Sequence, residues 1–396
     1  GTLQLIDVPT STQAYEITIT KDDYSSDQTY TPGEVENPNP INPHATVTEQ
    51  TVTILSFAID QLSDLVVATS DNRCNAIPDQ SFDLVGSKLI GAGPDIIKYS
   101  TSTTTDGDGL ITLSDLEWDT YAFTYTEGDY DVIGSIPHNP LVVQPGVTTN
   151  YRLVLGDISN PSLVTTIQDG GTGLPVTTAS IVLDGATFDA TKLASHSIYT
   201  ETDWSGGSGY SNESGGITVN SPTGQVRLAT LGGSYPTSTV HWLESNTFDA
   251  GGTPGGISLL EWSPTSQPAG VGSDAIRFRI AASDTDGPTW NFLGSDGTGS
   301  SYYSGNPSSL HSSVVGKRYV RYRIYLQTAD QNVTPRIEDL SLEFTGPCVP
   351  PGERLFESLP TGNYDFTVSN TGYENATGTI NVTSGFKESI IELFTP

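Results

Sequence analysis

The chain has 396 residues, with 41 Gly, 25 Pro and an apolar content of 35%. Its 46 Asp and Glu against 16 Lys and Arg give a formal charge of −30. A surface this acidic repels phosphate backbones and argues against nucleic acid as a partner, and no run of about 18 apolar residues offers a membrane span.

The length leaves room for two to four domains. Abundant Thr, Ser, Val and Tyr with frequent Gly and Pro predict β-structure, and no long segment places apolar residues at i, i+3, i+4 and i+7. Gly1 stands where an initiator Met is expected, directly before strand-like residues, as in a processed or truncated chain.

In chain order, residues 2–19 (TLQLIDVPTSTQAYEITI) read as a strand, a sharp turn and a second strand with an early Tyr. Residues 32–44 (PGEVENPNPINPH) form an extended loop, because Pro blocks both helix and central strand. Residues 46–59 return as one or two strands. Together, 1–60 are expected to be an incomplete β-sandwich. Residues 61–156 read as a complete one. It has strands at 65–69 and 81–85, a turn region at 71–79 holding Cys74, and a second hairpin-like copy at 110–125 (LITLSDLEWDTYAFTY). A closing strand follows at 148–155. Residues 157–190 open a third domain of the same layout, whose remainder arrives only in 347–396, with a third copy at 354–368 (RLFESLPTGNYDFTV). Residues 191–346 therefore interrupt it. This insert carries Trp204, Trp242, Trp262 and Trp290, opens on a Gly/Ser-rich stretch at 203–216, and offers enough short strands for one β-sandwich.

The copies DGDGLITLSDLEWDTYAFTY and PPGERLFESLPTGNYDFTV resemble the small β-sandwiches of collagen-adhesin B-type, prealbumin-like and carboxypeptidase-regulatory-like domains. The shared pattern is an apolar strand, a Leu, a turn often carrying Gly, and a Tyr opening the next strand. Gly362 supplies that Gly in the third copy. Asp119-Thr120 and Thr12-Gln13 replace it in the other two, where Tyr121 and Tyr15 keep the pattern. The insert resembles a galactose-binding-like jelly-roll in Phe248-Asp249-Ala250-Gly251, Leu260-Glu261-Trp262, IRFRIA at 276–281, Trp290, YVRYRIYL at 319–326, Thr334-Pro335 and IEDLSL at 337–342. The whole resembles prepilin-like surface proteins of ultrasmall, host-attached bacteria, although the pilin-type helix that precedes such repeats is not in this chain. The resemblance implies an all-β fold of tandem Greek-key prealbumin-like β-sandwiches, with a jelly-roll-like sandwich inserted in the last. Some collagen-adhesin-type domains crosslink a Lys of the first strand to the last. The first strands here, at 65–69 and 163–167, hold no Lys, so no such bond is expected.

Candidate sites are few. Trp290, Tyr302 and Tyr303 lie near predicted loops of the insert, where aromatic faces stack on sugar rings; the rival reading puts Trp290 in the core and the tyrosines half-buried. Asp284, Asp286 and Asp296 flank Trp290 and offer the oxygen ligands Ca²⁺ takes, although Asp-Gly is also ordinary turn chemistry. No other cofactor is expected. Asp106, Asp108 and Glu117 have the outer spacing of a calcium loop, but Leu110 and Ile111 occupy a ligand and the glycine position, so a plain turn is expected. The five His form no H-E-x-x-H, and no G-x-S-x-G or phosphate loop is present. If successive strands reverse direction, Cys74 and Cys348 fall at facing ends of the second and third domains and are expected to form a disulfide, which needs an oxidising location. The expectation is a non-catalytic extracellular adhesin or pilus-associated subunit at the cell surface, partnered by a surface glycan, a protein or copies of itself. The alternatives are a filament subunit that polymerises by strand complementation, and a carbohydrate-binding accessory region of a larger secreted enzyme.

Overall fold

The computed structural model describes residues 1–158, 161–186, 189–206, 209–253 and 255–396, so positions 207–208 of the Gly/Ser-rich stretch lie outside it. Among the described residues every regular element is a strand, and the fold is all-β. Two compact units are present. One comprises Gly1–Asp71 with Ala76–Ile158, the other Asn72–Asn75 with Ser159–Pro396.

In the first unit, strand Ser63–Ser70 turns Leu65, Val67 and Thr69 inward and leaves Asp64, Val66 and Ala68 less covered, as the two-residue period of a strand requires. It lies between Leu110–Leu116 and Thr149–Asp157, and Tyr130–Ile136 completes that sheet. Facing it is a sheet in the order Leu141–Val143, Asp119–Tyr125, Ser81–Gly86, Ser100–Thr104. Leu65, Val67, Phe82, Leu84, Phe123 and Tyr151 fill the space between the sheets. First and last strands pair in parallel, Thr149 beside Leu65 through Val154 beside Ser70.

The hairpin-like copy proves to be something else. Its two strands do not pair with each other: Leu110–Leu116 joins one sheet and Asp119–Tyr125 the other. The chain between them is an arch over the edge of the sandwich. Asp115 takes a left-handed conformation (φ 62), Leu116 plugs the core, and the buried Tyr121 donates its hydroxyl to the Glu117 carbonyl at 2.9 Å. The third copy repeats each part. Ser358 has φ 51, Leu359 is fully buried, and Tyr364 donates to the Pro360 carbonyl at 2.6 Å. The tyrosine thus fastens each arch to its own backbone. Upstream, Gly109 and Gly352 also match. Both have positive φ, and an added Cβ would stand 2.8 Å from the Thr69 carbonyl oxygen or 2.7 Å from that of Ile167. The Asp106 carboxylate accepts the N–H groups of Asp108 and Leu110, so this segment is the plain turn expected.

Residues 1–60 depart from expectation. As strands, only Ser11–Tyr15 with Ala45–Val47 and Thr18–Ile19 with Asp27–Gln28 pair, with one isolated bridge between Tyr30 and Pro43. The expected strand at 2–6 and most of that at 46–59 are absent, and Leu3, Leu5, Val52 and Ile54 lie exposed. Alternating residues become a strand only when a neighbour completes the ladder and a face is covered.

In the second unit, Ser162–Asp169 pairs in parallel with Phe386–Leu393 and antiparallel with Glu353–Phe356. The facing sheet runs Asp189–Leu193, Ser180–Gly185, Gly362–Ser369, Ala376–Val382. This is the layout of the first unit's sandwich without the edge strand that Tyr130–Ile136 adds there beside the last strand. Between Leu193 and Glu353 the chain builds further sheets with their own core, among them Trp204, Phe248, Leu260, Trp262, Phe278 and Tyr322. The excursion leaves and returns at one point. Ser195 donates its N–H to the Glu353 carbonyl and accepts the Gly352 N–H on its hydroxyl, both at 2.8 Å. Its first and last long strands, Ser197–Glu201 and Asp339–Thr345, pair with each other.

A buried ion pair joins excursion to sandwich. Arg354 Nη1 lies 2.5 Å from Glu343 Oε1, with 0% and 7% of their side chains exposed. Burial pulls the Arg354 pKa down, and Glu343 opposes it. A buried pair is weak evidence of net stabilisation, yet breaking one side of it is costly. Arg354→Ala should destabilise the second unit by about 3–5 kcal/mol in urea unfolding, and Arg354→Met with Glu343→Leu should recover most of that loss. Equal losses in the single and double variants would show that the pair does not carry this contact.

Candidate functional site

One face of the excursion concentrates positive charge. Strands His241–Glu244, Tyr319–Leu326 and Ile276–Ser283 lie side by side. Alternation sends Leu243, Tyr322, Ile324, Phe278 and Ile280 into the core. It leaves Trp242, Glu244, Arg321, Arg323, Tyr325, Arg277 and Arg279 on the opposite side. Register sets Trp242, Tyr325 and Arg277 in one row and Glu244, Arg323 and Arg279 in the next, with Arg321 opposite Ala281.

The segment after Ile276–Ser283 folds back along it, Leu293 bridging Ile280 and Tyr303 bridging Phe278. That return lays aromatic rings against the guanidinium groups. Tyr302 is centred 4.0 Å from Arg279 and 4.4 Å from Arg277, and meets Tyr325 edge-on at 5.1 Å. Arg323 lies between Trp242 at 4.5 Å and Phe292 at 4.0 Å, and Arg321 lies 5.0 Å from Trp290. Each contact stabilises by about 0.5–2 kcal/mol, more as water is excluded. Glu244 serves two of the four cations, accepting from Arg321 Nη1 at 2.9 Å and Arg323 Nη2 at 2.8 Å. Among the described residues the other two find neutral acceptors only: Arg279 Nε donates to the Ser301 carbonyl at 2.9 Å, and Arg277 Nη2 to Gln327 Oε1 at 3.1 Å.

Two of the three aromatic residues expected to bind a ligand, Trp290 and Tyr302, are half-buried on this face. Tyr303 is not available. Its ring is 2% exposed in the core, its hydroxyl accepts the His311 N–H at 2.9 Å, and burial pushes its pKa up. The next residue of a strand points the other way, so Tyr302 and Tyr303 cannot both face a ligand.

Asp284, Asp286 and Asp296 are not gathered. Asp284 pairs with Lys317 Nζ at 2.5 Å. Asp296 accepts from the Ser301 hydroxyl and the Thr298 N–H within its own turn, and these bonds hold its carboxyl below the usual range. Asp286 lies exposed. Among the described residues no three His, Cys, Asp or Glu side chains group as metal ligands.

Cys74 and Cys348 are joined in a disulfide with Cα atoms 5.4 Å apart and a sequence separation of 274. In chain-entropy terms, closing so long a loop stabilises by about 5–6 kcal/mol. Around it, Asn72 Nδ2 donates to Ser197 Oγ at 2.5 Å, and the Arg73 guanidinium lies 5.6 Å from the Tyr199 ring. Gly251 lets the Arg73 backbone close in, since a Cβ there would collide with its carbonyl oxygen.

The four arginines do not stand out in the sequence by themselves. Their signal is R-x-R on two strands, RFR at 277–279 and RYR at 321–323, in a chain poor in basic residues.

No family model and no curated protein sequence matches the chain. Among solved structures it is similar to a streptococcal ancillary pilin, at 12% identity and TM-score 0.21, over 96% of this chain and 73% of that one. It is also similar to the Bacillus anthracis TIE protein, at 10% identity and TM-score 0.19, over 84% of this chain and 50% of that one. A third is the minor pilin GBS52 of Streptococcus agalactiae, at 8% identity and TM-score 0.19, over 84% of this chain and 96% of that one.

Proposed function

We propose that the chain is a non-catalytic, extracellular subunit of a surface appendage, pilus-associated or adhesin-like. In this reading repeated β-sandwiches form a stalk, and the excursion between Leu193 and Glu353 is the part that binds. The observation that carries it is the repeated layout of the two sandwiches, the second interrupted by strands with a separate core. The two matched arches give the repeats one construction, as structural modules have, while the excursion alone departs from it. The disulfide between Cys74 and Cys348 fits an oxidising, extracellular location. The finer assignment, prealbumin-like sandwiches with a jelly-roll-like insert and four domains divided at about 60, 156 and 190 with the return at 347, is part of the same proposal. Within this proposal, the pairing of Asp189–Leu193 with Ser180–Gly185 supports an insert that starts past Leu193.

The test replaces residues 197–345 by a short Gly/Ser linker, which the contact between Ser195 and Glu353 permits. Beads coated with the full chain should adhere to host cells. Beads coated with the shortened chain, shown folded by its melting transition, should not. Equal adhesion would move binding to the sandwiches.

A second reading, a filament subunit that polymerises by strand complementation, is favoured by one observation. Leu3, Leu5, Val52 and Ile54 are 68–84% exposed in alternating segments without partner strands. Such segments accept a strand from a neighbour. The full chain should then sediment as concentration-dependent oligomers, and Leu5→Lys with Ile54→Lys should sediment as a monomer. A monomer at all concentrations for both would remove this reading.

A further inference from the structure

We propose that the arginine face of the excursion binds a glycan carrying a carboxylated sugar, with Arg277 and Arg279 taking the carboxylate beside the ring of Tyr302. The proposal rests on the reading of the excursion as the binding part, and names its ligand class and its site.

Charge is the first ground. The chain holds 16 basic residues against 46 acidic ones, yet four of the 16 stand on this one face. Glu244 is the only carboxylate bonded to them among the described residues. Arg279 stands directly opposite Arg323 across the strands. Like charges so placed repel, and a protein rich in carboxylates has every means to place an acid there. Arg277 and Arg279 share one ring and have no acid, and Arg277 Nε is buried with no hydrogen-bond partner among the described residues. Two neighbouring guanidinium groups without a carboxylate are matched by a carboxylate from outside, which a planar fork receives through paired N–H bonds.

The second ground is shape and long-range charge. Tyr302, Trp290 and Trp242 are half-exposed beside the arginines, and the C–H face of a pyranose packs on such rings while its carboxylate reaches the cations. A densely charged polyanion meets the −30 of the whole chain. A glycan with sparse carboxylates meets mainly the local excess, because salt screens charge beyond about 8 Å. This favours a sugar acid over nucleic acid and over a second copy of this acidic chain.

The full chain is titrated calorimetrically with three oligosaccharides of similar length: one ending in a sialic acid, one containing uronic acid, and a neutral one. At least one acidic glycan should bind, and which one identifies the source of the carboxylate. The neutral glycan should bind at least about 10-fold more weakly. Binding should weaken as salt rises from about 0.05 to about 0.5 M. Arg277→Gln with Arg279→Gln should lower affinity about 10-fold or more with the melting midpoint kept within about 3 °C, and Arg336→Gln, outside this face, should bind as the unaltered chain does. The proposal is overturned if no acidic glycan binds, if the neutral one binds as well, or if the double variant binds normally. It is also overturned if the double variant changes only the sedimentation of the chain, which would make this a self-association surface. Cell adhesion lost on removing 197–345 but kept in the double variant would retain the excursion as the binding part and reject this face.

Discussion

Everything in the two sandwiches depends on one contact, the parallel pairing of a first strand with a last. Ser63–Ser70 meets Thr149–Asp157, and Ser162–Asp169 meets Phe386–Leu393. A parallel neighbour cannot be reached by a tight turn, so all the chain between must leave the sheet and come back. In the first sandwich that intervening chain supplies the rest of both sheets. In the second it also supplies the excursion. Closure survives so long a detour because the detour's ends touch at Ser195 and Glu353 and because its own terminal strands pair. A loop already closed locally adds little further entropy cost to closing the sandwich.

The arches explain what the sequence could and could not reveal. Strand, Leu, turn and Tyr were legible because each has a fixed physical role. Leu116 and Leu359 plug the core, and Tyr121 and Tyr364 bond back to the turn. The period of two announces a strand but not its partner. An arch between sheets and a hairpin within one therefore read alike, and the hairpin expectation failed. The exposed residues 2–6 and 51–55 failed for the same reason, since their alternation was real but no strand lies beside them. The interruption was expected because the third copy stands far from the strands at 157–190, and the pairing of Ser162–Asp169 with Glu353–Phe356 and Phe386–Leu393 is consistent with it.

The arginine face was less accessible. RFR and RYR each look like an ordinary alternating strand. Only the register that sets Arg279 beside Arg323, and the return segment that lays Tyr302 over Arg277 and Arg279, gathers them on one face. Trp290 and Tyr302 lie on this face and Tyr303 lies in the core, a difference hidden in the sequence because parity along an unassigned segment is not visible. The aspartates around Trp290 failed to assemble because two of them are committed to local partners, Asp284 to Lys317 and Asp296 to its own turn. The buried Glu343 and Arg354 pair is a tertiary fact with no local signature.

The most direct test of the account is amide hydrogen exchange of the full chain, with the disulfide intact. If the second sandwich is closed by its first and last strands around the excursion, the amides of Ser162–Asp169 and Phe386–Leu393 should be protected to the same degree and open together with those of Ser180–Gly185. Rapid exchange along Phe386–Leu393 while Ser162–Asp169 stays protected would contradict the closure, and with it the proposed division into an interrupted sandwich and an inserted binding part.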